Sequence, residues 1–132
     1  MLTLKKGMVL YHGTDALFDE QSEGLHGPVW VSSSITVAEH FARLPGGFGG
    51  VKRIIKFRLA KRIELNDIHS PREMLEFAEE HGIGLYGVDD MKEGVESSGI
   101  AGWIIPNNYP DGDDILIADA SVLEHVETHV MD

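Results

Sequence analysis

Apolar and polar positions along the chain predict short strands near both ends, with helices between them. Residues 8–11 and 29–31 are apolar runs closed by turn-forming residues, and we interpret both as buried strands. Residues 51–59 alternate between apolar and charged side chains, which predicts a half-buried strand. Residues 63–65 are a possible continuation of this strand. Further strands are predicted at residues 103–105, 115–117 and 122–130.

A first helix is predicted directly after the second strand. Val37 and Phe41 fall on one helical face, Ser34 or Thr36 can serve as the N-cap, and the glycine-rich residues 45–50 end the helix. The pattern predicts a short amphipathic helix.

The clearest helix signal begins at Ser70. This residue is a good N-cap, Pro71 suits the first helical position, Glu73 suits the third, and Gly82 ends the segment. Residues 83–99 contain several glycines and no sustained period, so they are predicted to be mostly irregular, with one helical turn around residues 89–95.

Length and composition narrow the class of protein. The 132 residues fit a single domain, residues 1–132, with ordinary globular composition. A net charge of -11 disfavours nucleic acids and anionic membranes as partners. Because the chain has no cysteine, no signal-like start and no membrane-length apolar run, we expect a cytoplasmic protein without disulfides or membrane insertion.

One basic stretch, residues 52–62, interrupts this acidic chain. Alternating charge is common on the solvated face of a strand, and we favour that interpretation. The alternative is a patch that attracts an anionic ligand.

Three short motifs occur in a particular order. The first is Leu10-Tyr11-His12-Gly13-Thr14, the second is Val29-Trp30-Val31-Ser32-Ser33-Ser34 followed by the helix to Phe41, and the third is Asp113-Asp114-Ile115-Leu116-Ile117-Ala118-Asp119. Together they resemble the ADP-ribosyltransferase superfamily, especially the poly(ADP-ribose) polymerase-like branch and its compact forms in bacterial toxins and phage polyvalent proteins.

The resemblance implies a binding site for NAD as substrate. In that family the residues matched by His12, Gly13 and Thr14 bind NAD, with the histidine on the adenosine ribose and the glycine backbone on the nicotinamide amide. Trp30 and Phe41 match the two rings that enclose nicotinamide, and such stacking contributes about 0.5 to 2 kcal/mol.

The resemblance also implies the catalytic residues. Asp114 stands at the position of the family's glutamate, whose carboxylate binds the ribose and steadies its positive charge as nicotinamide leaves. The family's helix serine is replaced by Ala38, and we expect Ser32 and Ser34 to supply the hydroxyls instead. Tyr109 precedes Asp114 in the loop that often contacts the target, and is a candidate for substrate recognition. Gly112 stands where arginine-modifying toxins have a further acid, so arginine modification is not supported.

Each of these residues also has a purely structural interpretation. His12 alone is an ordinary strand-end histidine, Trp30 and Phe41 are core aromatics, and Asp114 belongs to a solvated turn. Metal binding is not favoured either, because the aspartates near Asp114 lack calcium-loop spacing, and His125-Val126-Glu127-Thr128-His129 lacks the zinc-protease pattern.

We therefore expect an α+β fold, in which split, mainly antiparallel sheets and short helices surround an NAD cleft. The expected activity is ADP-ribosyl transfer to a protein or other macromolecular acceptor, or NAD hydrolysis, with His12 and Asp114 as catalytic residues and no metal. The alternative is a catalytically silent module of the same fold that binds a protein partner or ligand.

Overall fold

A computed structural model of the protein describes residues 1–14, 28–43, 51–86, 88–109 and 112–131. Within these residues, eight strands form two β-sheets. The strands are β1 (Leu2–Leu4), β2 (Val9–Thr14), β3 (Val29–Val31), β4 (Arg53–Leu59), β5 (Ile63–Asp67), β6 (Gly102–Tyr109), β7 (Gly112–Ile117) and β8 (Leu123–Val130). The helices are α1 (Ile35–Ala42), α2 (Pro71–His81) and α3 (Val88–Ser98), and a 3-10 turn, Ala120–Val122, precedes β8.

The larger sheet has the strand order β1-β5-β6-β7-β3, and the smaller sheet has the order β2-β4-β8. Strands β5 and β6 run parallel, whereas the other described pairings are antiparallel. The predicted α+β class with mainly antiparallel sheets is confirmed.

The larger sheet buries apolar side chains on both faces. Val31 and Ile115 face the smaller sheet and pack with Leu10 and Leu59. On the opposite face, Trp103 lies in a second cluster with residues from α2 and α3. Each fully buried aliphatic side chain contributes about 1.5–3 kcal/mol, and the shared sheet couples the two clusters.

The two helix starts predicted from sequence are confirmed. Ser34 caps α1 by accepting a hydrogen bond from the Val37 N–H, and Ser70 caps α2 by accepting one from the Glu73 N–H. Gly82 ends α2 with a φ of 69°, in the left-handed region that glycine adopts without strain. The glycine-rich residues 45–50, predicted to end α1, lie outside the described residues.

The prediction for residues 83–99 is wrong, because most of this segment is the three-turn helix α3. Glycine lowers helix propensity, but Gly94 lies against Ile83, where a Cβ atom would come within 3.0 Å of the Ile83 Cα. Val95 is completely buried in the helical cluster. Tertiary packing therefore stabilises a helix that local propensity does not favour.

Residues 63–65 do not continue the preceding strand. They begin β5, which belongs to the larger sheet, whereas β4 belongs to the smaller one. The chain changes sheets at residues 60–62, and Leu65 is thereby buried between the sheets.

Strand β8 departs from simple alternation. Phe57 pairs with His125 but Lys56 pairs with Glu127, so β8 has one extra residue at this point. The bulge sends the side chains of His125 and His129 to opposite faces of the smaller sheet, although unbroken alternation would place them on the same one.

The basic stretch lies across from acidic residues of β8. Lys56 pairs in register with Glu127, with its Nζ 3.9 Å from the Glu127 Oε1, and Arg58 pairs with Glu124. Opposite charges at facing positions stabilise a strand pair modestly. This arrangement fits the solvated strand face that we favoured. Among the described residues, no helix is long and apolar enough to cross a membrane.

Candidate functional site

The two sheets are joined beside the end of β2. Tyr11 and Ser32 exchange two backbone hydrogen bonds, of 2.8 and 2.9 Å, which connect β2 to the residue that follows β3. The His12 Nδ1 atom lies 2.6 Å from the Trp30 carbonyl oxygen. Because a carbonyl can only accept, Nδ1 carries the hydrogen and donates it, which fixes both the ring orientation and the tautomer of neutral His12.

Gly13 allows α1 to lie directly on β2. A Cβ atom at this position would be 1.8 Å from the Ala38 carbonyl oxygen and 3.0 Å from the Ala42 nitrogen. Since neighbouring strand residues point to opposite faces, α1 covers the face of β2 away from the His12 ring. The close approach that this glycine permits is therefore to the helix backbone.

Two of the three serines after β3 anchor Asp113, and the third supports one of them. The Ser32 hydroxyl lies 2.8 Å from the Asp113 carbonyl oxygen and 2.9 Å from its Oδ1, and it accepts a 3.0 Å hydrogen bond from the Ser34 N–H. Ser33 donates from its backbone N–H to the Asp113 Oδ1, at 2.9 Å, and from its hydroxyl to the Oδ2, at 2.6 Å. Ser32 is fully buried, so its hydroxyl supports the start of β7 from within the protein.

Asp114 lies in a very different environment from its neighbour. It is only 7% exposed, and its Oδ1 atom has no hydrogen-bond partner among the described residues. Its Oδ2 accepts a long, 3.4 Å bond from the Asn108 side-chain amide. Burial, with a further contribution from the Asp113 charge, raises the pKa of Asp114 to about 6, although the Asn108 hydrogen bond acts in the opposite direction.

A bulge in β6 brings Asn108 to this carboxylate. Ile105 pairs with Asp114 and Tyr109 pairs with Gly112, so three residues of β6 face a single residue of β7. Pro106 lies within this bulge and has no N–H to donate to the ladder. Bulges commonly redirect side chains in this way near functional sites.

Gly112 brings the start of β7 against the start of α1. A Cβ atom here would be 2.6 Å from the Ser34 Cβ and 3.2 Å from a methyl group of Val37. One contiguous region therefore contains the first turn of α1, the serine segment (residues 32–34), and the two aspartates at positions 113 and 114.

The structure places several of the predicted site residues close together. His12 contacts the backbone of Trp30, Ser32 contacts Asp113, and Asp114 follows directly on β7. Asp114 is buried, whereas one structural alternative placed it in a solvated turn.

The two rings of the predicted aromatic pair lie on different elements. The half-buried Trp30 ring lies edge-on to Trp103, at a centroid distance of 5.8 Å, on the face of the larger sheet that α2 and α3 cover. Phe41 is half-buried on α1, which lies on β2. A nicotinamide site between these two rings stays a prediction.

The roles of two other residues, Thr14 and Tyr109, also stay predictions. Thr14 is the last residue of β2, where it pairs with Arg53. The backbone of Tyr109 pairs with that of Gly112 across the strands. The side chain of Tyr109 falls outside the described part of the structure.

Sequence reasoning missed Asn108 and the anchoring of Asp113. The Asn107-Asn108 pair before the turn was the available signal, but the bulge that aims Asn108 depends on strand register. Within the described ranges, no three histidine or carboxylate side chains are grouped as a metal site requires.

Comparison with known proteins identifies a similar fold. No protein-family model matches the chain, and no curated protein matches it significantly. A chain in the crystal structure of the M. tuberculosis MbcT-MbcA toxin-antitoxin complex aligns with a TM-score of 0.57 at 12% sequence identity. The alignment covers 98% of this chain and 86% of that chain. At this identity the likeness establishes a shared fold.

Proposed function

We propose that the protein binds NAD where its two sheets join and cleaves the bond between nicotinamide and ribose, passing ADP-ribose to an acceptor or to water. The observation that carries this proposal is Asp114, a buried carboxylate whose Oδ1 has no hydrogen-bond partner in the part of the chain that the structure describes. It occupies the position at which the resemblance to ADP-ribosyltransferases requires an acid.

The energetics of Asp114 support a functional role. Burying a carboxylate without hydrogen bonds is costly, and such groups are concentrated at sites that bind or transform ligands. The Oδ1 atom can accept a hydrogen bond from a ribose hydroxyl of NAD. A negative charge held there also stabilises the positive charge that develops on the ribose as nicotinamide departs.

His12 suits the other end of such a ribose-containing ligand. The contact between its Nδ1 and the Trp30 carbonyl orients the His12 ring beside the junction of the sheets, where an imidazole can hydrogen-bond to a ribose hydroxyl. Its position on a paired strand makes the ring a rigid ligand contact. Trp30, Thr14 and Phe41 are proposed to complete the NAD site together with the backbone of Gly13.

Ser32 and Ser34 act indirectly in this proposal. Ser32 is fully buried and holds Asp113, while Ser34 caps α1. Both fix the start of β7, and with it the position of Asp114.

The similar fold in a toxin-antitoxin complex supports a toxin-like role for this activity. An enzyme that consumes NAD in its own cell requires restraint. We therefore include a neutralising protein partner in the proposal.

The direct test measures nicotinamide released from NAD by purified protein, alone and with cell lysate. Native protein is expected to release nicotinamide, and His12→Ala is expected to lower the rate at least tenfold because it loses a ligand contact. His129→Ala is the matched control, since His129 is exposed on β8. A requirement for lysate would indicate a macromolecular acceptor.

Absence of release by folded native protein would contradict the proposed activity. Tryptophan fluorescence then tests the alternative of a catalytically silent binding module. Saturable quenching by NAD that disappears in Trp30→Phe would support that module. Trp103 remains in that variant as an internal reference.

A further inference from the structure

A groove lies beside Asp114, at the start of α2. It encloses about 290 Å³ between the first turn of α2 and the bulged part of β6. Its apolar lining residues are Ile68, Pro71, Met74, Ile105 and Pro106. Its polar lining residues are His69, Ser70 and Asn108.

The groove shares a wall with the proposed catalytic carboxylate. Asn108 lines the groove and donates its amide hydrogen to the Asp114 Oδ2. Ile105, another lining residue, is the direct cross-strand partner of Asp114, so the two side chains project from the same face of the sheet. Asp114 therefore lies directly behind this wall.

The order of strands places the groove on the far side of Asp114 from the proposed NAD contacts. Strand β7, with Asp114, lies between β6 and β3. The groove is on the β6 side, whereas Trp30 and its contact with His12 are on the β3 side. A ligand in the groove and NAD at the junction of the sheets would approach Asp114 from opposite sides.

The lining of the groove suits an apolar occupant that carries a neutral polar group. The His69 backbone N–H donates to the Glu73 carboxylate, and the His69 ring lies 3.1 Å from the Asp67 carboxylate. Hydrogen bonding to His69 and to the chain amino group lowers the pKa of Asp67, which keeps it ionised. A neutral group with an apolar ring fits this groove, because five of its lining residues are apolar.

We propose that this groove is the acceptor subsite of the enzyme and that it takes a phenolic hydroxyl, such as a tyrosine side chain, which reaches Asp114 beside Asn108. This inference rests on the proposed NAD-cleaving function and assigns its acceptor. The phenolic oxygen bonds to the ribose anomeric carbon, and the carbon–nitrogen bond breaks with its electrons passing to nicotinamide. The phenolic proton passes to the Asp114 carboxylate and then to water.

The acidity of a phenol suits this base better than that of other neutral hydroxyls. A phenol ionises with a pKa of about 10, far below the pKa of an aliphatic alcohol. Asp114, with its pKa raised to about 6, is a stronger base than an ordinary aspartate and still ionised at neutral pH.

The test uses the absence of native cysteine to block the groove selectively. Met74→Cys and His69→Cys place a single thiol at the groove, and Leu75→Cys places one on the neighbouring position of α2, where the side chain is 61% exposed. Each variant is compared before and after reaction with N-ethylmaleimide. His69 has an exposed ring, so its variant keeps the test available if Met74→Cys does not fold.

The acceptor probes are N-acetyl-tyrosinamide, N-acetyl-serinamide and inorganic phosphate, each incubated with NAD. Mass spectrometry measures the fraction of released ADP-ribose that is attached to the probe. We expect at least tenfold more adduct with the phenol than with either comparison probe. Labelling at position 74 or 69 should lower that fraction at least tenfold, and labelling at position 75 should leave it unchanged.

The outcomes separate this inference from the function on which it rests. Nicotinamide release without phenol adduct, preference for serinamide or phosphate, or adduct unaffected by labels in the groove would overturn the acceptor assignment alone. No nicotinamide release by native protein with any probe would overturn the NAD-cleaving function and the subsite with it.

Discussion

At the scale of single residues, two adjacent aspartates experience opposite environments. Asp113 accepts hydrogen bonds from Ser32 and Ser33, whereas Asp114 is buried and its Oδ1 meets no hydrogen-bond partner within the described ranges. Neighbouring carboxylates whose surroundings differ in this way commonly have different roles, one structural and one chemical. Because of this contrast, substitution of the two residues is expected to change the free energy of unfolding in opposite directions.

Asp114 is expected to reduce stability at neutral pH. Its pKa is 3.8 in the reference state and about 6 in the folded protein, so the folded state binds the proton more tightly. Stability should therefore fall as pH rises from about 4 to about 6, by about 3 kcal/mol for this group. Asp114→Asn should gain about 1 to 3 kcal/mol at pH 7.5, a gain that disappears below pH 4. Urea unfolding at several pH values measures the difference between the two proteins.

The same substitution should remove activity. Loss of the charge opposite the developing positive ribose is expected to reduce nicotinamide release about 100-fold or more. Asp113→Asn is the matched control for stability, because it weakens charge-assisted hydrogen bonds and should lose about 1 to 3 kcal/mol. Full activity in a folded Asp114→Asn protein would contradict the assigned role of Asp114.

The serine segment allows a buried and an exposed hydroxyl to be compared on the same acceptor. Ser32→Ala should cost about 1 to 3 kcal/mol, because it leaves buried partners of the hydroxyl unsatisfied. Ser33→Ala should cost less than about 1 kcal/mol, since water can replace an exposed hydroxyl. Equal costs in chemical denaturation would show that burial of Ser32 does not control the strength of this anchor.

At the scale of elements, α1 occupies its place because β2 lacks a side chain at Gly13. The two-stranded contact between β2 and β4 provides the surface, and the helix backbone lies against it. The helix itself is specified locally by its Ser34 cap. Its distance from the sheet, however, depends on a residue more than twenty positions earlier in the chain.

Gly13→Ala is expected to displace α1. The new methyl group would overlap the Ala38 carbonyl, and overpacking against backbone costs about 3 kcal/mol. Gly7→Ala is the comparison, because Gly7 has a φ of 89° with open space around it and should cost only about 1 kcal/mol in backbone strain. Thermal unfolding measures both, and similar losses would argue against close helix packing at Gly13.

The elements also show where local sequence is informative. Ser70, Pro71 and Gly82 act within a few residues of the helix ends that they define, so α2 was predicted at both boundaries. Helix α3 was missed because the burial of Val95 against distant residues outweighs its glycine. The bulges in β6 and β8 were missed because strand register involves a partner that the local pattern does not contain.

At the scale of the whole molecule, one sheet supports two apolar clusters. Leu116 faces the helices, and its neighbours Ile115 and Ile117 face the smaller sheet. Loss of either apolar cluster would expose one side of β7. The cluster between the sheets and the cluster beneath the helices are therefore expected to unfold together.

A single domain spanning residues 1–132 remains a prediction that unfolding can test. Both tryptophans lie at the helical cluster and report on that side by fluorescence, whereas far-ultraviolet circular dichroism reports on all elements. The two urea transitions should coincide, as expected for a two-state domain of this size. A fluorescence midpoint clearly below the circular dichroism midpoint would indicate two independently folding units.

The sequence by itself determined the elements with local signals and the order of the three motifs that led to His12, Trp30 and Asp114. Capping, periodicity and turn chemistry act over a few residues and can be recognised without a structure. Only the tertiary structure decided how these motifs meet, since the contact between Ser32 and Asp113 joins residues 81 positions apart. It also decided the burial of Asp114 and the groove behind Asn108, because desolvation and strand register depend on the surrounding chain rather than on the residue itself.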